Sequence, residues 1–170
     1  RIEVAPGSSF TEHAYEDRTS VSTPDQIWSG GNLHVIDPDH DQAGFIAQNI
    51  ATPEGGNFYI NPRGNWAYTI DNAKVQHLGQ GESYQKTFSV ESIDGSAHQN
   101  ITVTVHGTND APVVSAEVRI VSGIEDTSMQ LSTVELLANA TDIDHNDVGQ
   151  LSIANLVADH GTVIDNKDGT

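Results

Sequence analysis

Cysteine is absent from the 170 residues, so neither a disulfide nor thiolate chemistry is open to this chain. Small domains here must be braced by other means. Cations are scarce: 7 Lys plus Arg stand against 24 Asp plus Glu, a formal charge of −17. Phosphate recognition rests on clustered cations, so nucleic acid and anionic membrane surfaces are not expected partners. The excess acid also strains a compact state through self-repulsion unless cations neutralise it. No apolar run approaches the ~18 residues of a membrane span, so no membrane insertion is expected. No signal peptide opens the chain either. Residue 1 reads as the middle of a longer protein, whose export address lies elsewhere.

Catalytic signatures are missing too. The chain has no Cys nucleophile, no His-Glu-x-x-His and no Gly-x-Ser-x-Gly elbow. Its eight histidines are scattered without catalytic-zinc spacing, and His34 and His106 fall on strands, facing solvent. The expectation is a protein that is not an enzyme.

What the chain does have is period-two alternation between turns. Trp66, Tyr68 and Ile70 share one face of "NWAYTI", Ile101, Val103 and Val105 one face of "ITVTVHG", and Phe88 and Val90 one face of "KTFSVES". Such runs, bounded by Gly, Asn, Asp and Pro, predict half-buried antiparallel strands. An alternating face of this kind is core more often than a sugar platform, which places Trp66 and Tyr68 inside. Helix periodicity is nearly absent. The exception is "DNAKVQHL", where Asp71 or Asn72 caps a single turn that buries Val75 and Leu78.

An internal repeat organises the chain. "GNFYINPRG" (56–64) recurs as "GTVIDNKDG" (161–169), an offset of 105, with Asn61 over Asn166. The same offset lays "DPDHD" (Asp37, Asp39, Asp41) over "DIDHN" (Asp142, Asp144, Asn146). Glu16-Asp17 recurs as Glu125-Asp126 and Ala5-Pro6 as Ala111-Pro112, at offsets of 109 and 106. The unit is thus about 105 residues long. Residues 1–12 read as a linker and the start of the first strand, 13–108 as one complete repeat, 109–112 as the joint, and 113–170 as a repeat that lacks its back half.

A unit of this size with about seven short strands predicts an all-β fold, an immunoglobulin/cadherin-like antiparallel β-sandwich. One complete unit is followed by a partial second unit in tandem. Strand direction then places the acids. The first strand ends near Glu16 at the far end of its unit, where the chain also exits at Asp110. "NLHVI" returns to the entry end and delivers Asp37 and Asp39 there. By the same logic the second unit returns Asp142 and Asp144 to its own entry end, facing the joint. Carboxylates crowded this way repel one another unless a counter-ion holds them. Hard oxygen ligands suit Ca²⁺, at six to eight per ion. The expected joint set is Glu16, Asn109, Asp110, Asp142 and Asp144, with Asp37 and Asp39 as a second candidate at the front end. "DPDHDQ" is not an EF-hand loop, because Gln42 stands at the sixth position and Gln48 at the twelfth.

"GNLHVIDPDHDQAGF", "GNFYINPRGNWAYTIDN", "VQHLGQGES", "IDG" and "ITVTVHGTNDAP", in that order, resemble a VCBS repeat over roughly residues 13 to 112. "GIEDTSMQL", "ELLANATDIDHND" and "HGTVIDNKDGT" resemble the front half of a cadherin-like tandem repeat. Such repeats belong to giant bacterial RTX-type surface adhesins and biofilm proteins. The resemblance implies type I secretion to the bacterial cell surface, calcium-dependent rigidity, and adhesion or spacing. Before Ala5-Pro6 stands Glu3-Val4, where the family has Asn-Asp. Expected partners are neighbouring repeats of the same chain and host-surface or biofilm glycans or proteins. The alternative reading is a carbohydrate- or peptide-binding module, through exposed loops such as "TPEGGN", within an adhesin or beside a secreted hydrolase.

Overall fold

The computed structural model describes residues 1–20, 22–38 and 42–170. The chain divides into two compact units, Arg1–Asn109 and Asp110–Thr170, and each is taken on its own.

Among its described residues the first unit holds eight strands: β1 (Ile2–Val4), β2 (Thr11–Tyr15), β3 (Gln26–Val35), β4 (Gln48–Ala51), β5 (Asn57–Ile60), β6 (Asn65–Asp71), β7 (Ser83–Glu91) and β8 (His98–His106). A five-stranded sheet runs β1-β3-β6-β5-β4 and a three-stranded sheet β2-β8-β7. All these pairings are antiparallel except one, for β2 lies parallel to β8. The strand count exceeds the expected seven because the segment 1–12 carries a strand of its own. β1 pairs with β3 in one sheet; after the turn at Pro6-Gly7 the chain crosses to the other sheet as β2.

The period-two faces form the core. Trp66, Tyr68 and Ile70 of β6, Ile101, Val103 and Val105 of β8, and Phe88 and Val90 of β7 are all buried. Phe88 stacks on Phe58 of β5 with ring centroids 4.3 Å apart, and tilts against Tyr68 at 5.6 Å. These contacts join the two sheets into a β-sandwich, and each large side chain so buried stabilises it by roughly 1.5–3 kcal/mol. The predicted single turn is a 3₁₀ helix at Asn72–Lys74. The Asp71 carboxylate caps it by accepting from the Ala73 N–H, and Val75 and Leu78 are buried behind it.

The second unit contains β9 (Val113–Val114) antiparallel to β10 (Ala140–Thr141), and one helical turn, α1 (Thr133–Leu136). A capping box makes α1: Ser132 accepts from the Glu135 N–H while Glu135 accepts from the Ser132 N–H. A single turn has no period to read. Its only sequence signature was Ser-x-x-Glu before Leu136-Leu137.

Two landmarks of the repeat carry the same backbone in both units. The Asn61 N–H donates to the Asn65 carbonyl at 3.0 Å, and the Asn166 N–H to the Thr170 carbonyl, also at 3.0 Å. Gly64 and Gly169 close these turns at φ of 80° and 92°. That is left-handed backbone, and a Cβ on Gly64 would also lie 2.0 Å from the Leu33 carbonyl oxygen. Asp17 and Asp126 both sit at φ of 60°, a region Asp tolerates better than most residues.

Candidate metal centre

At the exit end of the first unit, parallel pairing does the positioning. Tyr15 sits opposite His106, so β2 releases Glu16 just where β8 ends, and the Glu16 N–H donates to the His106 carbonyl at 2.9 Å. Glu16 is fully buried. Its Oε2 accepts from the Thr108 N–H at 3.1 Å and its Oε1 from Gln76 Nε2 at 2.7 Å. Asp17 lies beside it, its Oδ1 taking Asn72 Nδ2 and Gln76 Nε2, each at 2.8 Å. These donors are amides and carry no charge, so they orient the two carboxylates without neutralising them.

The entry end holds Asp37. The Ile36 N–H donates to the Arg1 carbonyl at 2.7 Å, which fixes the chain just before Asp37 against the start of β1. The ten residues of β3 separate this end from Glu16 and Asp17, a span of roughly 30 Å at strand rise. Asp39, its expected companion, lies outside the described residues, as do His40 and Asp41.

The second unit gathers its acids immediately after β10. The Asp144 N–H donates to Asp142 Oδ1 at 3.0 Å, and the Asp147 N–H to the Asp144 carbonyl at 3.2 Å. One carboxylate oxygen from each of Asp142, Asp144 and Asp147 lies within 4.8 Å of the other two. Asp144 is 0% exposed, the single buried residue of this unit. Its Oδ2 accepts from the Asp110 N–H at 2.9 Å, while its Oδ1 has no hydrogen-bond partner.

A buried carboxylate oxygen left unsatisfied costs on the order of 1–3 kcal/mol or more, and two further acids beside it add repulsion. A bound cation removes both penalties. Oxygen ligands at 2.3–2.6 Å from one ion stand at most about 5 Å from each other, which this trio meets. The donor set is all hard oxygen, with neither sulfur nor imidazole. It fits Ca²⁺.

Of the expected joint residues, the second unit brings Asp110, Asp142 and Asp144 together. Glu16 and Asn109 belong to the first unit, where Glu16 holds the N–H of Thr108, the residue before Asn109. Two acids were missed. Asp147 falls one residue beyond the copied pentad "DIDHN", and its signal was a third acid within the reach of one turn. Asp17 recurs with Glu16 in both repeats, a recurrence used for alignment and not for chemistry.

No curated protein matches the chain. Residues 108–170 match the family model of a cadherin-like domain. That segment includes Asp110 and the whole Asp142–Asp144–Asp147 trio, so these acids sit in a stretch similar to an adhesion-type β-domain.

Proposed function

We propose that this chain is a non-catalytic, calcium-binding extender of a large secreted bacterial surface adhesin, stiffened by Ca²⁺ where its repeats join. One observation carries the calcium reading: Asp144 is wholly buried, with one oxygen unpartnered and two more carboxylates within 4.8 Å. Asp142, Asp144 and Asp147 are the core ligands, and Asp110, whose N–H holds Asp144, lies in their reach. Glu16 and Asn109, the other expected ligands, belong to the first unit, where Glu16 accepts from the Thr108 N–H.

The adhesin setting draws on the cadherin-like match over 108–170 and on the VCBS resemblance of the preceding residues. Extracellular modules of this kind bind Ca²⁺ with Kd of about 10⁻⁴ to 10⁻³ M, suited to calcium outside the cell. The test is a calcium titration followed by amide NMR. Saturable shifts at Asp110, Asp142, Asp144 and Asp147 are expected, with smaller ones at Thr108 and Asn109. A spectrum indifferent to millimolar Ca²⁺ sinks the proposal.

A further inference from the structure

We propose that the outer face of the five-stranded sheet is a binding platform for a neutral pyranose oligosaccharide, with Trp28 and Tyr59 as its two stacking rings. Trp28 is 57% exposed and Tyr59 45% exposed, although both stand on strands of the best-packed part of the molecule. Alternation explains why. Ile27 and Ser29 point into the core on either side of Trp28, as Phe58 and Ile60 do on either side of Tyr59, so both rings are sent outward.

Strand register sets the rings in a row. Gly30 pairs with Ala67, and Ala67 with Tyr59. The Trp28 ring leans along its strand onto Gly30, where a Cβ would stand 2.9 Å from Trp28 Cζ3. It therefore reaches the register row that holds Tyr59, two strand spacings or roughly 9–10 Å away. Between them the floor is the bare backbone of Gly30 and the methyl of Ala67, low enough to leave both rings accessible. That spacing is the length of two sugar units, so the two aromatic rings meet the C–H faces of alternate pyranoses. Asn57 and Asn49, beside Tyr59 on β5 and β4, supply amide donors and acceptors for hydroxyl groups.

Charge selects the occupant. The chain carries −17, yet the Trp28–Tyr59 row and the Asn pair beside it contain no charged side chain. An acidic polysaccharide meets only the repulsive field of the whole chain here, and a basic protein finds no carboxylate to pair with. A neutral sugar needs neither. This assignment is independent of the metal centre and is expected to hold in chelator.

The chain has only two tryptophans, and Trp66 is 3% exposed, so acrylamide quenching of fluorescence reads Trp28. The probes are soluble neutral hexasaccharides built from glucose, galactose or mannose, with polygalacturonate as the charged control, all in EDTA. At least one neutral hexasaccharide is expected to shield Trp28 saturably in the millimolar range. Tyr59→Ala weakens that binding about fivefold, the worth of one stacked ring. Trp28→Ala abolishes it in calorimetry while leaving the melting temperature near that of the parent. The proposal is overturned if no neutral hexasaccharide shields Trp28, if Tyr59→Ala binds like the parent, or if polygalacturonate shields equally. A Trp28-dependent dimer seen by light scattering without sugar overturns it as well, assigning the face to a second copy.

Discussion

The backbone N–H of Asp110 donates to Asp144 Oδ2 at 2.9 Å, and the other oxygen of that buried carboxylate is left without a partner. One carboxylate oxygen from each of Asp142, Asp144 and Asp147 lies within 4.8 Å of the other two. Calcium is therefore expected to stabilise the second unit by mass action, by roughly 0.4–1.4 kcal/mol at millimolar concentration. Asp144→Ala removes the calcium-dependent rise in melting temperature. Asp147→Ala is the sharper test, because the internal repeat alone does not call for it. It is expected to weaken calcium binding at least about tenfold, each tenfold being 1.4 kcal/mol. Unchanged affinity in a calorimetric titration removes Asp147 from the ligand set.

The stacking of Phe88 on Phe58 sets a second expectation, this one about the sandwich and independent of metal. Phe88→Ala deletes a ring that touches both Phe58 and Tyr68, leaving a cavity between the sheets. The cost is about 3–5 kcal/mol, the same with calcium or with EDTA. Urea unfolding followed by tryptophan fluorescence measures it. A loss that depends on calcium means that the sandwich core leans on the metal.

Much of this could be read from residue order because period two is a local signal. Trp66, Tyr68 and Ile70 declare their buried face without knowledge of what packs on it, and Asp71 declares its cap. The repeat also lays Asp39 over Asp144 and Glu16 over Glu125, marking the same acids in both units. What stayed hidden depends on long-range pairing or on a single residue. β1 is three residues long and is a strand only because Ile2, Glu3 and Val4 find Val35, His34 and Leu33. The parallel pairing of β2 with β8 joins residues about ninety positions apart, which alternation cannot reveal. Trp28 looks like any strand aromatic until the register shows Gly30 beneath its ring and Tyr59 in the same row.

Acid is expected to loosen the first unit through two depressed carboxylates. Glu54 is held down to about 2, chiefly by its hydrogen bond to Lys86, whose Nζ lies 2.7 Å from Oε1, with the Tyr84 hydroxyl donating to Oε2 at 3.0 Å. Asp94 is likewise lowered to about 2, first by the Ser92 hydroxyl at 2.5 Å. A pKa lower in the folded than in the unfolded state means that the unfolded chain binds protons first. The contribution is thus complete above the ordinary carboxylate range, near pH 4.5, and fades as pH falls toward 2. Both groups are exposed, so solvent screens them and the effect is modest. Melts between pH 6 and pH 2 should show the decline in the first unit, and Glu54→Gln should flatten part of it. A curve unchanged by Glu54→Gln denies that the Lys86 contact couples to folding.

The two units should differ most in how easily they open. The first packs a continuous set of buried apolar side chains, from Ile27 and Leu33 to Val103 and Val105. The second buries no apolar side chain: its only buried residue is Asp144, and Val113, Val157 and Ile164 are 63%, 87% and 73% exposed. Amides in 113–170 have backbone partners such as Ser115 with Asn139, but little apolar surface that must be torn apart to expose them. In EDTA they are expected to exchange orders of magnitude faster than those of β6, β7 and β8. Calcium should then slow exchange around residues 140–147, where Asp142, Asp144 and Asp147 converge, and leave β6 to β8 unchanged. Hydrogen exchange read by mass spectrometry separates these segments. Equal protection of the two units in EDTA would mean that the second is held by something other than its own packing.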